Sequence, residues 1–231
     1  AKNGCRYGAR ISWGSGMSTV TLQHNRIELA LHQLRPATGE GHPLLLLHGL
    51  GECTPTSVPH DVESWPGSIW GLDFTGHGES TIPVGGGYSA EVLLGDVDAA
   101  INHLGTVTLV GRGLGGYVAL LAAGARVDAV HGAVITDGPG LTGGSYESSV
   151  PQSARLMGQG QIPDPYALHE LSRDVRAADY ALDFLQYSVA NSDLAEPINV
   201  SALYRPTWLA EVAAAPGVAS LPLGDALNLY R

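Results

Sequence analysis

The sequence predicts one α/β domain, in which a mostly parallel sheet of about eight strands carries helices on both faces. An unbroken aliphatic run such as residues 44–47 is typical of a strand buried on both faces of a sheet. Strand-like and helix-like segments then alternate along the chain, which favours parallel strands joined by helices. The chain begins differently, because apolar and polar residues alternate at 27–32 after a polar turn. This alternation predicts an N-terminal antiparallel hairpin.

The composition is that of an ordinary globular protein. The chain has 231 residues, of which 44% are hydrophobic and 15% charged, and a chain of this size can bury a core within one domain. Its net charge of −10, from 12 basic and 22 acidic residues, disfavours nucleic acid and anionic membrane surfaces as partners. No apolar run approaches the roughly 18 residues that a membrane span requires.

The first sixteen residues and the cysteines bear on the cellular location. Residues 1–16 show no periodicity and no apolar core of a signal peptide, and Met17 resembles a natural start. We therefore interpret 1–16 as a tag or extension and 17–231 as the domain. Cys5 and Cys53 form no disulfide framework, which favours free thiols in a reducing compartment, so we expect a cytoplasmic protein.

The elements between the hairpin and residue 140 follow from periodicity and turn residues. Apolar residues of 89–104 fall on one face of a helix, which Gly105 ends. The remaining predicted elements are strands at 69–73, 107–110 and 131–136 and an apolar helix at 117–125.

Three short segments occur in a recognisable order. They are His48-Gly49 at a strand end, Asp73-Phe-Thr-Gly-His-Gly-Glu-Ser80 after the next strand, and the glycine turn Gly111-Arg-Gly-Leu-Gly115 between a strand and a helix. Together they resemble the α/β-hydrolase family over residues 19–140. The resemblance implies that His48-Gly49 belongs to an oxyanion motif. It also implies that Gly113 stands where the family has the nucleophilic serine of Gly-x-Ser-x-Gly.

The resemblance also implies a small helical lid, at about residues 141–196. Within it, Asp164 is predicted to cap a helix that begins at Pro165, and a second helix follows around 180–187. The segments after the lid are predicted to form a strand at 198–204, a helix at 208–215 and a last strand at 218–223.

The other members of a catalytic triad are not recognisable. The family resemblance implies an acid after the strand that follows the lid, but Arg205-Pro-Thr-Trp208 stands there. It also implies a histidine after the last strand, but the last histidine of the chain is His169, within the predicted lid. A serine without a base is a poor nucleophile, so the pattern favours natural loss of serine-hydrolase activity.

The glycine turn still predicts a pocket. The amide of Leu114 lies at a predicted helix N-terminus, and the amide of Leu50 is expected to face the same point. Without a serine side chain, we expect room there for a water or a ligand oxygen. The first hypothesis is therefore a non-catalytic protein that binds a small carboxylate, acyl or carbonyl ligand, or a protein partner. The predicted pocket residues are Leu50, Gly51, Arg112, Gly113, Leu114 and Asp137.

Two alternatives are open. One is a hydrolase or lyase that acts on an ester, thioester or related molecule through relocated groups, with His48, His77, Cys53 and Asp137 as candidates at the strand ends. The other is a dinucleotide site, since Gly111-x-Gly113-x-x-Gly116 follows a strand and Asp137 comes about twenty residues later. No Cys or His cluster has metal-ligand spacing, so we expect no metal and no bound cofactor.

Overall fold

The fold is that of a computed structural model, which describes residues 11–14, 17–144 and 162–231. One nine-stranded sheet runs through the described part of the chain in the order β1-β2-β3-β5-β4-β6-β7-β8-β9. Its strands are β1 (Ile11–Gly14), β2 (Met17–His24), β3 (Ile27–Arg35), β4 (Leu44–Leu47), β5 (Ile69–Leu72), β6 (Val107–Arg112), β7 (Val130–Thr136), β8 (Ile198–Val200) and β9 (Val218–Ala219).

The strand directions confirm the predicted sheet. The pairs β1–β2, β2–β3 and β3–β5 are antiparallel, and the remaining pairs from β5 to β9 are parallel. The sheet has one strand more than the eight expected, because Ile11–Gly14 pairs with β2. Four of the sixteen residues interpreted as an extension thus form an edge strand, while residues 1–10, 15 and 16 lie outside the described residues.

Six helices accompany the sheet in the described ranges: α1 (Ala90–Leu104), α2 (Leu114–Ala125), α3 (Pro165–Arg173), α4 (Ala178–Asn191), α5 (Thr207–Ala214) and α6 (Leu223–Leu229). One apolar core joins the sheet to α1, α2, α4 and α5, and a second core lies with α6 on the opposite face. None of these six helices combines the length and apolar character that crossing a membrane requires.

The helix ends follow the residues that the sequence offers as caps. The side chain of Ser89 accepts a hydrogen bond from the Val92 amide and begins α1, and Gly105 ends it. Asp164 accepts from the Tyr166 amide and begins α3, with Pro165 in the first turn.

The predicted lid divides between two environments. α3 lies against the segment before α1, where Glu170 accepts hydrogen bonds from the amides of Gly87 and Tyr88. In contrast, α4 packs against α2 and α5 within the helical layer and buries Ala181 and Leu185 there. Residues 145–161 of the predicted lid lie outside the described residues.

The C-terminal strands are shorter than expected. β8 ends at Val200, because the amides of Leu203 and Tyr204 donate to the Asp137 carboxylate instead of to a neighbouring strand. β9 ends at Ala219, and the Leu221 amide bonds to the Asn199 side chain. The residues predicted as the end of the last strand instead begin α6.

The crossover from β4 to β5 (residues 48–68) has no α-helix. It contains a single 3-10 turn, His60–Val62, and three prolines, Pro55, Pro59 and Pro66, which interrupt a helical hydrogen-bond pattern. Parallel strands are usually joined by a helix that covers one face of the sheet. An irregular segment therefore covers the sheet beside the carboxyl ends of β4 and β6.

Candidate functional site: the glycine turn and the neighbouring cavity

The glycine turn has the backbone geometry of a tight strand-to-helix connection. β6 ends at Arg112, and Gly113 caps α2 with φ 58° and ψ −119°. This conformation lies in the positive-φ region, which is unfavourable for any residue with a Cβ atom. The helix then passes close to β4, since a Cβ on Gly115 would lie 2.4 Å from the Leu47 carbonyl oxygen.

The space beside Gly113, where a ligand oxygen was expected to bind, is filled by the backbone of the chain itself. The amides of Leu50 and Leu114 converge on one acceptor, but that acceptor is the Pro139 carbonyl oxygen, at 3.0 and 2.9 Å. A Cβ on Gly113 would lie 2.1 Å from the same oxygen. The expectation that loss of the serine side chain opens room for a ligand is therefore wrong. The sequence carries no sign of this contact, because it is made by a backbone carbonyl.

We call residues 137–141 the plug loop, because they carry that carbonyl. Side chains from other elements hold three of its other carbonyl groups. Arg112 Nη1 donates to the Asp137 oxygen at 2.9 Å, Trp208 Nε1 donates to the Leu141 oxygen at 3.0 Å, and Arg176 donates to the Gly140 oxygen. The plug loop is thus fixed from three directions.

Arg176 holds the plug loop from a buried position. Its side chain is 6% exposed, and its guanidinium carbon lies 4.9 Å from the centre of the Tyr117 ring. Burial lowers the pKa of Arg176 to about 10, so the side chain stays charged at neutral pH. Its Nε and Nη2 atoms have no hydrogen-bond partner among the described residues.

The N-terminal amides of α2 are all occupied within the chain. Leu114 donates to Pro139, the Gly115 amide donates to the His48 oxygen at 3.2 Å, and the Gly116 amide donates to the Gly113 oxygen at 3.0 Å. A pyrophosphate at a helix N-terminus requires free amides of this kind. The glycine turn therefore offers no free amide to the pyrophosphate of a dinucleotide, which argues against the dinucleotide hypothesis.

His48 and His77 both have structural hydrogen bonds. His48 Nε2 accepts from the Phe74 amide at 3.1 Å, and its Nδ1 donates to the Gly49 oxygen at 2.8 Å. His77 Nε2 accepts from the Gly51 amide at 3.2 Å, and its Nδ1 donates to the Thr75 oxygen at 3.1 Å. Burial lowers the pKa of His48, and it lowers the pKa of His77 to about 3. Neither ring has a nitrogen left to act on a nucleophile.

Cys53 and Asp137, the other two candidate catalytic residues, also lack a catalytic arrangement. Burial, and then the charge of Asp73, raise the pKa of the half-buried Cys53 thiol, which disfavours the reactive thiolate. The Asp137 carboxylate accepts from the amides of Leu203 and Tyr204 at 2.8 and 3.0 Å. Asp137 therefore fixes the backbone of the segment after β8, and it does not orient a catalytic base.

Asp73 fixes the backbone around the turn after β5. The carboxylate is buried and accepts from the amides of Thr54 and Glu79 at 2.7 and 2.8 Å and from His32 Nε2 at 3.1 Å. Burial alone would raise the pKa of Asp73, but these hydrogen bonds lower it to about 2. This motif residue thus holds the β4–β5 crossover to the sheet.

A cavity of about 1220 Å³ lies on the α6 face of the sheet, next to the glycine turn. Its floor is the carboxyl ends of β4, β6, β7 and β8, and its walls are residues 52–62 and 220–223. It exists where the β4–β5 crossover lacks a helix. Four of the predicted site residues line it: His48, Cys53, Arg112 and Asp137. The other predicted pocket residues, which do not line it, are Leu50, Gly51, Gly113 and Leu114.

Arg112 is a structural anchor at the edge of this cavity. Its Nε donates to the Glu52 carboxylate at 3.0 Å, and its Nη1 holds the plug loop. Among the described residues, no group of three or more His, Cys, Asp or Glu side chains is arranged to hold a metal ion.

The chain is similar to several known proteins. The (E)-2-((N-methylformamido)methylene)succinate hydrolase of Acinetobacter baylyi is 30% identical over 151 residues, which cover 62% of this chain and 54% of that protein. This chain therefore spans about half the length of that relative. A bacterial membrane phospholipase A aligns over 90% of this chain and 79% of its own, with 17% identity and a TM-score of 0.51. An epoxide hydrolase from Vigna radiata aligns over 54% of this chain and 39% of its own, with 23% identity and a TM-score of 0.44.

The family model described as the alpha/beta hydrolase family matches residues 44–231. This range holds β4 to β9, the glycine turn and the plug loop. The chain belongs to the α/β-hydrolase family.

Proposed function

We propose that this protein is a non-hydrolytic member of its family, which binds a small molecule in the cavity beside the glycine turn. The observation that carries the proposal is the Pro139 carbonyl between the amides of Leu50 and Leu114. In a serine hydrolase, a pair of amides like this stabilises the oxyanion of the reacting ester. Here the amides are used by the chain, and the residue at the turn has no hydroxyl.

The positions of the histidines support the same proposal. General-base catalysis requires a ring nitrogen within hydrogen-bond reach of the nucleophile, and both nitrogens of His48 and His77 are bonded to backbone groups. The name of the Acinetobacter baylyi relative makes hydrolysis the competing function. That function would need catalytic groups other than these histidines, Cys53 and Asp137.

The test is an esterase assay on the wild-type protein and on Gly113→Ser. With p-nitrophenyl acetate, we expect both proteins to stay below about 1% of an ordinary esterase rate, because a serine at 113 would have neither a base nor a free oxyanion site. We also expect a fluorophosphonate to leave the wild-type protein unlabelled, as followed by intact mass. A stoichiometric burst of nitrophenol or stoichiometric labelling of the wild type would overturn the proposal, whether or not the variant folds.

A further inference from the structure

The cavity contains a cation whose charge no described carboxylate balances. Arg205 lines the cavity after β8. Its Nε donates to the Ala202 carbonyl oxygen at 3.2 Å, and its Nη2 donates to Ser220 Oγ at 3.4 Å. A guanidinium has five N–H donors, so most of the donors of Arg205 remain available.

Two of the three acidic side chains that line the cavity have partners within the chain. Glu52 pairs with Arg112 and accepts from the Gly49 amide at 3.0 Å. Asp137 accepts from two backbone amides. Asp61 also lines the cavity, from the β4–β5 crossover. None of these three carboxylates forms an ion pair with Arg205, whose side chain lines the cavity after β8.

The floor of the cavity is apolar where β4 and β6 contribute to it. Leu46 and Val110 are paired in neighbouring strands, and both belong to the core on the α6 face. They are 9% and 8% exposed, whereas Leu44, Ile69 and Val134 of the same core are fully buried. The exposed part of Leu46 and Val110 therefore faces the cavity, which residues Pro222 and Leu223 close from the side.

The width of the cavity floor limits the size of a ligand. Three strand spacings separate β4 from β8 in the sheet, which is about 14 Å. An extended chain of eight to ten carbons is about 9 to 11 Å long, which leaves about 3 Å for the hydrogen bond between its carboxylate and Arg205 when the tail lies over Leu46. Ser220 Oγ accepts from Arg205 and keeps its own hydrogen as a second donor at that end.

We propose that the cavity binds a medium-chain aliphatic carboxylate, whose carboxylate pairs with Arg205 and whose chain lies on Leu46 and Val110. A carboxylate is the group that a guanidinium fork binds with two parallel hydrogen bonds. This inference rests on the proposed binding function of the cavity and adds the class of ligand and the residue that recognises it.

The experiment compares octanoate with octanamide, which has the same chain but no charge. By isothermal titration, we expect the wild type to bind octanoate about tenfold or more tightly than octanamide, since charge-assisted hydrogen bonds are the stronger ones. Arg205→Gln should lose this preference and keep its affinity for octanamide, whereas Asp61→Asn should keep the preference. Arg205 is exposed, so melting curves should show that the Gln variant folds like the wild type.

Each outcome separates the two proposals. Equal affinity of the wild type for octanoate and octanamide overturns the role of Arg205 and leaves a cavity that binds apolar molecules. Changes of equal size and opposite sign in the affinity for octanoate, caused by Arg205→Gln and Asp61→Asn, also overturn it. They would show that binding depends only on the overall charge of the protein. If neither molecule binds the wild type, or if filling the floor with Val110→Phe leaves binding unchanged, the binding function of the cavity is itself wrong.

Discussion

Among the single residues of the turn, Gly113 has two separate reasons to be a glycine. Its φ of 58° disfavours any side chain, and the Pro139 carbonyl occupies the position of its Cβ. Gly105 shares only the first reason. It has a similar backbone conformation, φ 80° and ψ −142°, but a Cβ there would meet no described atom within 4 Å.

We predict that Gly113→Ala lowers the free energy of unfolding by about 3 kcal/mol, because a strained backbone and a clash with Pro139 act together. Gly105→Ala should lose only about 1 kcal/mol, from the backbone conformation alone. Urea denaturation measures both values. Equal losses would show that the plug loop moves aside at no cost, which would contradict a filled oxyanion position.

The sequence shows Gly113, because closely spaced glycines mark a tight turn in the chain itself, and the family resemblance implies the convergence of Leu50 with Leu114. It does not show Pro139, because a carbonyl is common to every residue and its direction depends on the loop. For the same reason, the histidines at the strand ends suggested chemistry, and only their backbone hydrogen bonds revealed a structural role.

Among the elements, the plug loop is held both by the predicted lid region and by α5. Arg176 lies between α3 and α4 and donates to the Gly140 oxygen, and Trp208 of α5 donates to the next carbonyl. The loop therefore depends on side chains from elements far away in sequence.

We predict that Arg176→Met loosens the plug loop more than it destabilises the protein. Replacing a buried charge that lacks full hydrogen bonding by an apolar side chain of similar length is often close to neutral for stability. The amides of Leu50 and Leu114 should nevertheless exchange with deuterium about tenfold faster, because the Pro139 carbonyl is held less firmly. Arg173→Met, at an exposed position on α3, is the matched control. Unchanged exchange in the Arg176 variant would show that Arg112 and Trp208 suffice.

The strands and helices before residue 140 follow from periodicity, since β4 to β7 are buried and α1 is amphipathic. The predicted ends of the last two strands were wrong, because side chains there bind amides that would otherwise have extended the sheet. Asp137 binds the amides that would have extended β8, and Asn199 binds the Leu221 amide. The missing crossover helix did have a signal, in Pro55, Pro59 and Pro66, and the cavity follows from it.

For the molecule as a whole, several buried groups couple stability to pH. His48 and His77 have lowered pKa values because of burial, and the hydrogen-bonded Asp73 has a pKa of about 2. His24 has the opposite shift, because its hydrogen bond to Asp96 raises the pKa. Groups with lowered values stabilise the fold at high pH and lose that effect as pH falls, and His24 partly opposes them.

We predict that the free energy of unfolding falls as pH decreases from 6.5 to 4. The unfolded chain binds a proton at His77 near pH 6.5, whereas the folded protein does so only near pH 3. This difference removes about 3 kcal/mol by pH 4. Below pH 4, Asp73 adds a further loss as pH falls toward 2. Urea denaturation across this range should show a shallower slope between pH 6.5 and 4 for His77→Gln than for the exposed control His60→Gln. Parallel slopes would contradict a neutral buried His77.

The two outer strands of the sheet have a consequence for self-association. In the described ranges, the sheet ends in β1, with four residues, and β9, with two. Unpaired backbone groups at a sheet edge can recruit a strand from another molecule, and long flat edges are the most susceptible to aggregation. By pairing with residues 17–20, Ile11–Gly14 covers the first half of the eight-residue β2. Part of the segment interpreted as an extension thus shields half of the outer edge of β2 from intermolecular strand addition.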